Sequence, residues 1–173
     1  MSKLRDFKII DLVSWRKQQL LKKALADAGG VETTLDLPCG DGKFWSAFRD
    51  MGVTSLLAAE VSKGMLDVAS GNRLSAEFPA KLTLTSAFDI DLGDGSVDFA
   101  ACIDFYQHLK GMEQQEKLLL EFARVSREYL ALSVSAGPCT EKKITQSGFN
   151  IEASYDLWPV LSSWRLYLLR KQP

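Results

Sequence analysis

The sequence has 173 residues, of which 46% are hydrophobic, and this length fits one domain with an ordinary core. Lys and Arg number 21 against 22 Asp and Glu, so a formal charge of -1 gives no overall basic field that would favour free nucleic acid or an anionic membrane. The cysteines Cys39, Cys102 and Cys139 form no C-x-x-C pair, which predicts neither a disulfide framework nor a metal site. With no signal-peptide core and no apolar run near membrane length, we expect a single cytoplasmic domain over 1–173, opened by a helical segment over 1–30.

The first half of the chain alternates helix and strand patterns. Residues 13–28 carry apolar side chains on one helical face and are followed by Gly29 and Gly30, which favour a helix end. The run 33–38 predicts a strand, 43–51 a helix and 55–61 a second strand. Ser62 is then placed to cap a third helix that reaches about residue 70.

The second half continues the alternation and changes it at the end. Strands are predicted over 81–87, 97–105 and 129–135, with helices over 112–126 and 141–147. Strands joined by single helices require a mostly parallel sheet covered on both faces. The last two strands, at 149–158 and 163–171, have no helix between them, so we expect an antiparallel pair at one edge of an α/β fold.

The stretch "TLDLPCGDGKF" (34–44) predicts a ligand site at the end of the first strand. Gly40 and Gly42 bring bare backbone close to a ligand, and ligands of such sheets bind outside the carboxyl ends of the strands. Asp36 is the only charge in this strand, and its burial requires backbone donors, a cationic ligand or ordered water. Glu60 ends the second strand, where an acid accepts hydrogen bonds from ribose hydroxyls. The alternative for the glycines is a tight turn without a ligand.

The spacing of the glycines argues against a dinucleotide. The dinucleotide fingerprint G-x-G-x-x-G needs a third glycine, but Phe44 and Trp45 stand in this part of the sequence. An acid before the turn and Asp41 inside it suit a ligand that carries a cation and no phosphate. S-adenosylmethionine, with its sulfonium, ammonium, ribose and adenine, is such a ligand.

Five segments, in order over about residues 14–170, resemble the motifs of class I S-adenosylmethionine-dependent methyltransferases. They are "TLDLPCGDGKF", "LLAAEVSKGML", "SAFDIDLGDGSVDFAACIDFYQHL", "RVSREYLALSVS" and "ITQSGFNIEASYD". The resemblance implies a Rossmann-like, doubly wound sheet of seven strands with the seventh antiparallel, and S-adenosyl-L-methionine as cofactor. It also implies cofactor contacts at Asp36, Pro38, Gly40, Gly42, Glu60, Met65, Ser86 and Ala87.

Two residues depart from the pattern of this family. Pro38 stands where a glycine is usual, and it lacks an N–H but keeps a carbonyl that accepts from an ammonium. Ser86 stands where an aspartate usually accepts from the adenine amino group, and its neutral hydroxyl is a weaker acceptor. Binding is then looser, or Asp89 takes over this contact.

The segment after the fourth strand holds the candidate catalytic residues. His108, the only histidine, is a candidate general base near neutral pH, and Asp104 is the alternative. Tyr106 is expected to line the acceptor pocket. A lone histidine in this position is often only a capping or packing residue. An acceptor that is already nucleophilic needs no base at all.

These features predict a methyltransferase for an unidentified acceptor, small or macromolecular, without a metal or a membrane partner. The alternatives are a module that binds the cofactor but is catalytically silent, suggested by Pro38 and Ser86, and, less favoured, an NAD-dependent oxidoreductase, suggested by Glu60. Since the sequence shows no large insertion for a substrate lid, we expect an open pocket for a large acceptor, or one completed by a second subunit or a partner domain.

Overall fold

A computed structural model of the protein describes residues 2–72, 78, 80–135, 138–159 and 162–173, with side chains at 2–11 and 138–139 outside the description. Along the chain lie α1 (Ser2–Ala28), β1 (Thr33–Asp36), α2 (Trp45–Asp50), β2 (Ser55–Glu60), α3 (Lys63–Ser70), β3 (Ala80–Leu84), β4 (Val97–Cys102), a 3-10 turn (Tyr106–His108), α4 (Met112–Val125), β5 (Ser126–Ser135), α5 (Pro138–Gln146), β6 (Phe149–Asp156) and β7 (Trp164–Lys171).

The strands form one sheet in the order β3-β2-β1-β4-β5-β7-β6. Strands β1 to β5 pair in parallel, and β7 pairs antiparallel with both β5 and β6. The predicted fold class, including the antiparallel hairpin at the carboxyl-terminal edge, is therefore confirmed. Because β1 lies between β2 and β4, the strand order reverses next to β1, and the loop after β1 faces the crevice where such sheets bind ligands.

Two apolar cores lie on opposite faces of the sheet. On one face α1 and α2 bury Leu21, Trp45 and Phe48. On the other face α4 buries the four residues that its periodicity predicts: Leu118, Leu119, Phe122 and Val125. Ala69 is the buried residue of α3 and Leu66 packs half-buried against the core, whereas Met65 of the same predicted apolar stripe is 37% exposed.

Several predicted boundaries differ from the structure for local reasons. The strand predicted over 97–105 ends at Cys102, because Asp104 has a φ of 60°, which no strand accommodates. The strand predicted over 81–87 ends at Leu84, and Ser86 instead forms an isolated bridge with Asp89 across a turn. Helix α1 spans Ser2–Ala28, so the apolar face at 13–28 forms its second half within the helical segment expected over 1–30. Within the described ranges, no helix is both long and apolar enough to cross a membrane.

Candidate functional site

The loop after β1 is a compact turn tied to both neighbouring strands. The Leu37 N–H donates to the Ala101 carbonyl of β4, and the Cys39 N–H donates to the Ala59 carbonyl of β2. Helix α1 fixes the turn from the outside, since Gln18 Nε2 donates to the Lys43 carbonyl over 2.8 Å. The turn is therefore held at the point where the strand order reverses.

The two glycines of this turn have different surroundings. Both have positive φ, +55° at Gly40 and +78° at Gly42, where other residues are strained. A Cβ at Gly42 would lie 2.9 Å from the Trp45 indole, so Gly42 is needed for packing of the turn against α2. A Cβ at Gly40 would meet nothing within 4 Å, so Gly40 is the glycine that leaves open space.

Asp36 is fully buried at the end of β1. Its Oδ2 accepts a hydrogen bond from the Trp45 indole Nε1 over 3.2 Å, and its Oδ1 has no hydrogen-bond partner among the described residues. Burial raises the pKa of Asp36 to about 7, although the Trp45 hydrogen bond and the charge of Lys43 act in the opposite direction. Within the described part of the chain, the donor to this carboxylate is therefore a side chain, the indole of Trp45.

Two cavities meet at the carboxyl ends of the strands. The first, of about 330 Å³, is lined by Pro38, Cys39, Gly40, Asp41, Lys43, Phe44, Glu60, Met65, Ile103 and Asp104. The second, of about 300 Å³, is lined by Leu37, Pro38, Glu60, Val61, Thr85, Ser86, Ala87, Phe88 and Phe105. Pro38 and Glu60 line both cavities. The structure therefore brings together six of the eight predicted cofactor residues, while Asp36 and Gly42 lie behind the cavity walls.

The charge of the first cavity is mainly acidic. Asp41, Glu60 and Asp104 line it together with one cation, Lys43, and the carboxylate of Asp36 lies close enough for the charges of Lys43 and Glu60 to shift its pKa. A phosphate would meet repulsion here, whereas a cation would be attracted.

Asp104 is the most heavily contacted acid of the site. Its Oδ1 accepts from Lys17 Nζ over 2.6 Å and from Trp164 Nε1 over 2.9 Å, and its Oδ2 accepts from Lys43 Nζ over 3.2 Å. Its backbone N–H donates to Ser133 Oγ over 2.7 Å. Burial acts to raise its pKa, but the hydrogen bonds from the Lys17 and Trp164 side chains and the charges of the two lysines outweigh burial and lower it. A carboxylate held in this way is a weak proton acceptor.

The other candidate catalytic residues lie outside the two cavities. Tyr106 is 3% exposed and belongs to the core beneath α4. His108 is exposed at the end of the 3-10 turn, three positions beyond Phe105, which lines the second cavity.

Ser86 and Glu60 each accept a hydrogen bond from a nearby backbone N–H. Ser86 Oγ accepts from the Phe88 N–H over 3.2 Å, and Glu60 Oε2 accepts from the Val61 N–H over 2.9 Å. Asp89, the alternative acceptor for adenine, is exposed and does not line the second cavity.

Sequence reasoning missed three residues that shape the site. Lys17 and Trp164 reach Asp104 from positions 87 and 60 residues away, and no local pattern signals such pairs. The role of Trp45 had a signal in the sequence, because a buried acid needs a hydrogen-bond donor and Trp45 is the nearest indole to Asp36 along the chain. The apolar residues beside Trp45 in the sequence, however, indicated only packing in the core.

Comparison with known proteins agrees with this architecture. A family model described as "Methyltransferase domain" matches residues 35–129, more than half of the chain. No curated protein matches the sequence.

Solved structures show the same fold at low sequence identity. An S-adenosylmethionine-dependent methyltransferase from Clostridium acetobutylicum has a TM-score of 0.77 at 12% identity, with 92% of each chain covered. Magnesium protoporphyrin IX methyltransferase from Synechocystis, solved with bound S-adenosylmethionine, has a TM-score of 0.72 at 14% identity, covering 91% of this chain and 80% of its own. A chain from the complex between a methyltransferase activator and a "putative methyltransferase" of Haloferax volcanii has a TM-score of 0.75 at 15% identity, covering 98% of this chain and 93% of its own. The chain belongs to the methyltransferase-domain family and is an S-adenosylmethionine-dependent methyltransferase.

Proposed function

We propose that the cofactor lies across the two cavities, with its ribose at Glu60, and that the chain transfers the methyl group to an acceptor near the carboxyl end of β4. The observation that carries this proposal is that Glu60 lines both cavities. A carboxylate at such a junction accepts hydrogen bonds from the two hydroxyls of a ribose whose substituents extend to either side.

The second cavity suits the adenine ring. Its wall is mainly apolar, and Val61, Ala87 and Phe88 offer surfaces for a flat base. Ser86 supplies a hydroxyl at the position expected for the adenine amino group. A neutral acceptor in place of a carboxylate predicts a weaker contact.

The first cavity suits the methionine part of the cofactor. The open space beside Gly40 admits the ligand close to the backbone, and the acidic lining attracts the sulfonium and the ammonium. Pro38 contributes no N–H but leaves its carbonyl for the ammonium. The same acidic lining disfavours the pyrophosphate of NAD, which argues against the oxidoreductase alternative.

The bound cofactor supplies an activated methyl group on a positively charged sulfur. The acceptor's lone pair forms the new bond as the carbon–sulfur bond breaks, so the residues of the chain act mainly by orientation. Ile103 and Asp104 at the end of β4 form the wall nearest to the acceptor side, where Asp104 suits positioning more than proton transfer. For acceptors that lose a proton, we propose His108 as the base, which requires an acceptor that extends beyond the cavities to the exposed end of the 3-10 turn.

The rim of the site supports a large acceptor or a completing subunit. Val61 and Met65 line the cavities, yet they are 70% and 37% exposed, so the cleft is open on the side of α3. The similar protein from Haloferax volcanii is in complex with an activator, which makes a protein partner of this chain a further proposal. The free thiols Cys39 and Cys102 fit a reducing cytoplasm.

Calorimetric titration with S-adenosylmethionine, S-adenosylhomocysteine and NADH tests the proposal. We expect both sulfur ligands to bind and NADH not to bind. Glu60→Gln should weaken both by about 1–3 kcal/mol, because a charged hydrogen bond is lost. Glu113→Gln, on the exposed first turn of α4, is the matched control and should bind as the wild type does. Equal affinity of the two variants would overturn the placement of the ribose.

A further inference from the structure

We propose that Trp45 is a positioning residue of the cofactor site. Its indole holds the Asp36 carboxylate in its ionised form beneath the glycine turn, so that protons and the cationic cofactor compete there. The inference rests on the proposed function, because it concerns the same cavity. Trp45 does not line either cavity, so it acts through Asp36 and the turn.

The geometry leaves the Trp45 ring little freedom. Trp45 and Asp36 are both fully buried, nine positions apart, and are joined by the 3.2 Å hydrogen bond from the indole Nε1 to Oδ2. The backbone of Gly42 lies against the ring, since a Cβ there would be 2.9 Å from it. The Trp45 N–H also donates to the Gly42 carbonyl over 3.1 Å. The indole is therefore fixed by the same turn that borders the cavity.

The carboxylate depends on this indole. Trp45 supplies the hydrogen bond to Oδ2, and Oδ1 has no partner among the residues that the structure describes. A buried carboxylate with one donor is costly to ionise. Burial removes the hydrogen bonds that water would donate to the charged group, and the surrounding protein replaces few of them. In agreement, burial raises the pKa of Asp36 to about 7.

The groups that face Asp36 come from every neighbouring element. Lys43 in the turn favours the carboxylate, whereas Asp41 in the turn and Glu60 at the end of β2 disfavour it. The thiols of Cys39 and of Cys102 on β4 are close enough for Asp36 to raise their pKa, and they stay neutral near pH 7. With two acids against one lysine, an added cation in the cavity shifts Asp36 toward its ionised form.

The sign of the pH dependence follows from this arrangement. As the pH falls through the pKa of Asp36, the carboxyl group becomes neutral and loses its attraction for the sulfonium and ammonium. Cofactor affinity should therefore decrease below neutral pH and reach a plateau above it, with a proton released on binding near neutrality. Loss of the indole N–H raises the pKa further, which moves the midpoint of this profile to higher pH.

The test is the pH profile of S-adenosylmethionine affinity between about pH 6 and about pH 8.5. Trp45→Phe should bind several-fold more weakly near neutral pH, and the deficit should shrink as the pH rises. Asp36→Asn keeps an acceptor for the indole but does not itself titrate. Its pH profile therefore reports the titration of the ligand's own amine, which is subtracted from the other profiles. Trp164→Phe is the matched control, because it removes an indole bond to another carboxylate, Asp104, and should leave the midpoint unchanged.

A second measurement keeps the inference testable if Trp45→Phe does not fold. The carboxyl carbon of Asp36 in the wild type, followed by NMR, should titrate near neutral pH and at lower pH once S-adenosylmethionine is bound. A loss of S-adenosylmethionine affinity in Trp45→Phe that is the same at every pH would overturn the inference. So would a titration midpoint of Asp36 that does not change when S-adenosylmethionine binds. Failure of the proposed function looks different, since the wild type would then bind no S-adenosylmethionine at any pH.

Discussion

Lys17 of α1 and Asp104 at the end of β4 form an ion pair, with Nζ and Oδ1 2.6 Å apart across 87 positions of sequence. Both side chains are largely buried, with 14% and 23% of their surface exposed. Asp104 also accepts from Lys43 in the glycine turn and from Trp164 of β7. One carboxylate thus joins the first helix, the glycine turn and the last strand, so α1 contributes to the candidate site as well as to the core.

The Lys17–Asp104 pair should have a larger coupling free energy than a surface ion pair with the same N–O distance. A double-mutant cycle of Lys17→Met and Asp104→Asn should give a coupling free energy of about 1–3 kcal/mol, measured by urea unfolding. Lys22 and Asp50 are the control, since they are also 2.6 Å apart but are 25% and 38% exposed. This surface pair should couple by less than about 1 kcal/mol. Equal couplings would show that burial does not strengthen the first pair.

Substitution of the two glycines of the turn should separate packing from binding. Gly42→Ala places a methyl group 2.9 Å from the buried indole and should destabilise the protein by about 1–3 kcal/mol beyond the cost of its positive φ. Gly40→Ala carries only the conformational cost of about 1–2 kcal/mol, but its methyl group enters the open space of the first cavity, where we propose that the cofactor binds.

Urea unfolding and S-adenosylmethionine titration of the two variants measure these effects. Gly42→Ala should have the larger loss of unfolding free energy. Gly40→Ala should have the larger loss of S-adenosylmethionine affinity relative to its loss of unfolding free energy. The reverse order in unfolding would contradict the contact between Gly42 and Trp45.

Asp98 should stabilise the amino-terminal end of the sheet in a pH-dependent way. Its Oδ2 accepts from the Thr33 N–H and hydroxyl, both over 2.9 Å, and Arg127 pairs with its other oxygen. Burial acts to raise its pKa, but these hydrogen bonds outweigh burial and lower it. Its contribution is then complete above the unfolded-state pKa of about 4 and is lost as the pH falls through the lower folded value.

Asp98→Asn should therefore reduce the free energy of unfolding by about 1–3 kcal/mol at neutral pH. The difference from the wild type should diminish in acid, below about pH 4. Asp94→Asn is the control, because the Asp94 side chain is 84% exposed and its loss should have little effect. A difference for Asp98→Asn that stays constant down to low pH would contradict the assignment.

The parts of the fold that follow from local pattern were predictable, and those that depend on distant pairs were not. The alternation of strand and helix gave the seven strands and the antiparallel hairpin, and the four buried residues of α4 follow from helical period. Asp36 and Glu60 stand at the expected strand ends because parallel strands finish at one edge. The pairing of Lys17 with Asp104, in contrast, depends on how α1 crosses the sheet.

Strands β3 and β4 end earlier than the sequence predicts, which also shows that local pattern does not determine every boundary. Continuous apolar sequence predicts strand beyond Cys102, but the positive φ of Asp104, fixed in part by the Ser133 hydroxyl, turns the chain toward the cavity. Local propensity does not contain such a tertiary constraint.

Cys39 lines the first cavity, yet it should resist alkylation. Burial, followed by the negative charges of Asp36 and Glu60, raises the pKa of its thiol to about 12, so almost no thiolate is present near pH 8. Cys102 has a raised pKa for the same reasons of burial and proximity to Asp36, and it does not line the cavity.

Treatment with iodoacetamide at about pH 8, followed by mass spectrometry, should leave both thiols unmodified in the folded protein and modify both after denaturation. Glu60→Gln removes one of the negative charges that act on Cys39, so it should accelerate modification of Cys39 without affecting Cys102. Glu113→Gln, on the exposed turn of α4, should change neither rate. Modification of Cys39 in the native wild type at its denatured rate would mean that the thiol is ionised and that the cavity is less acidic than its lining implies.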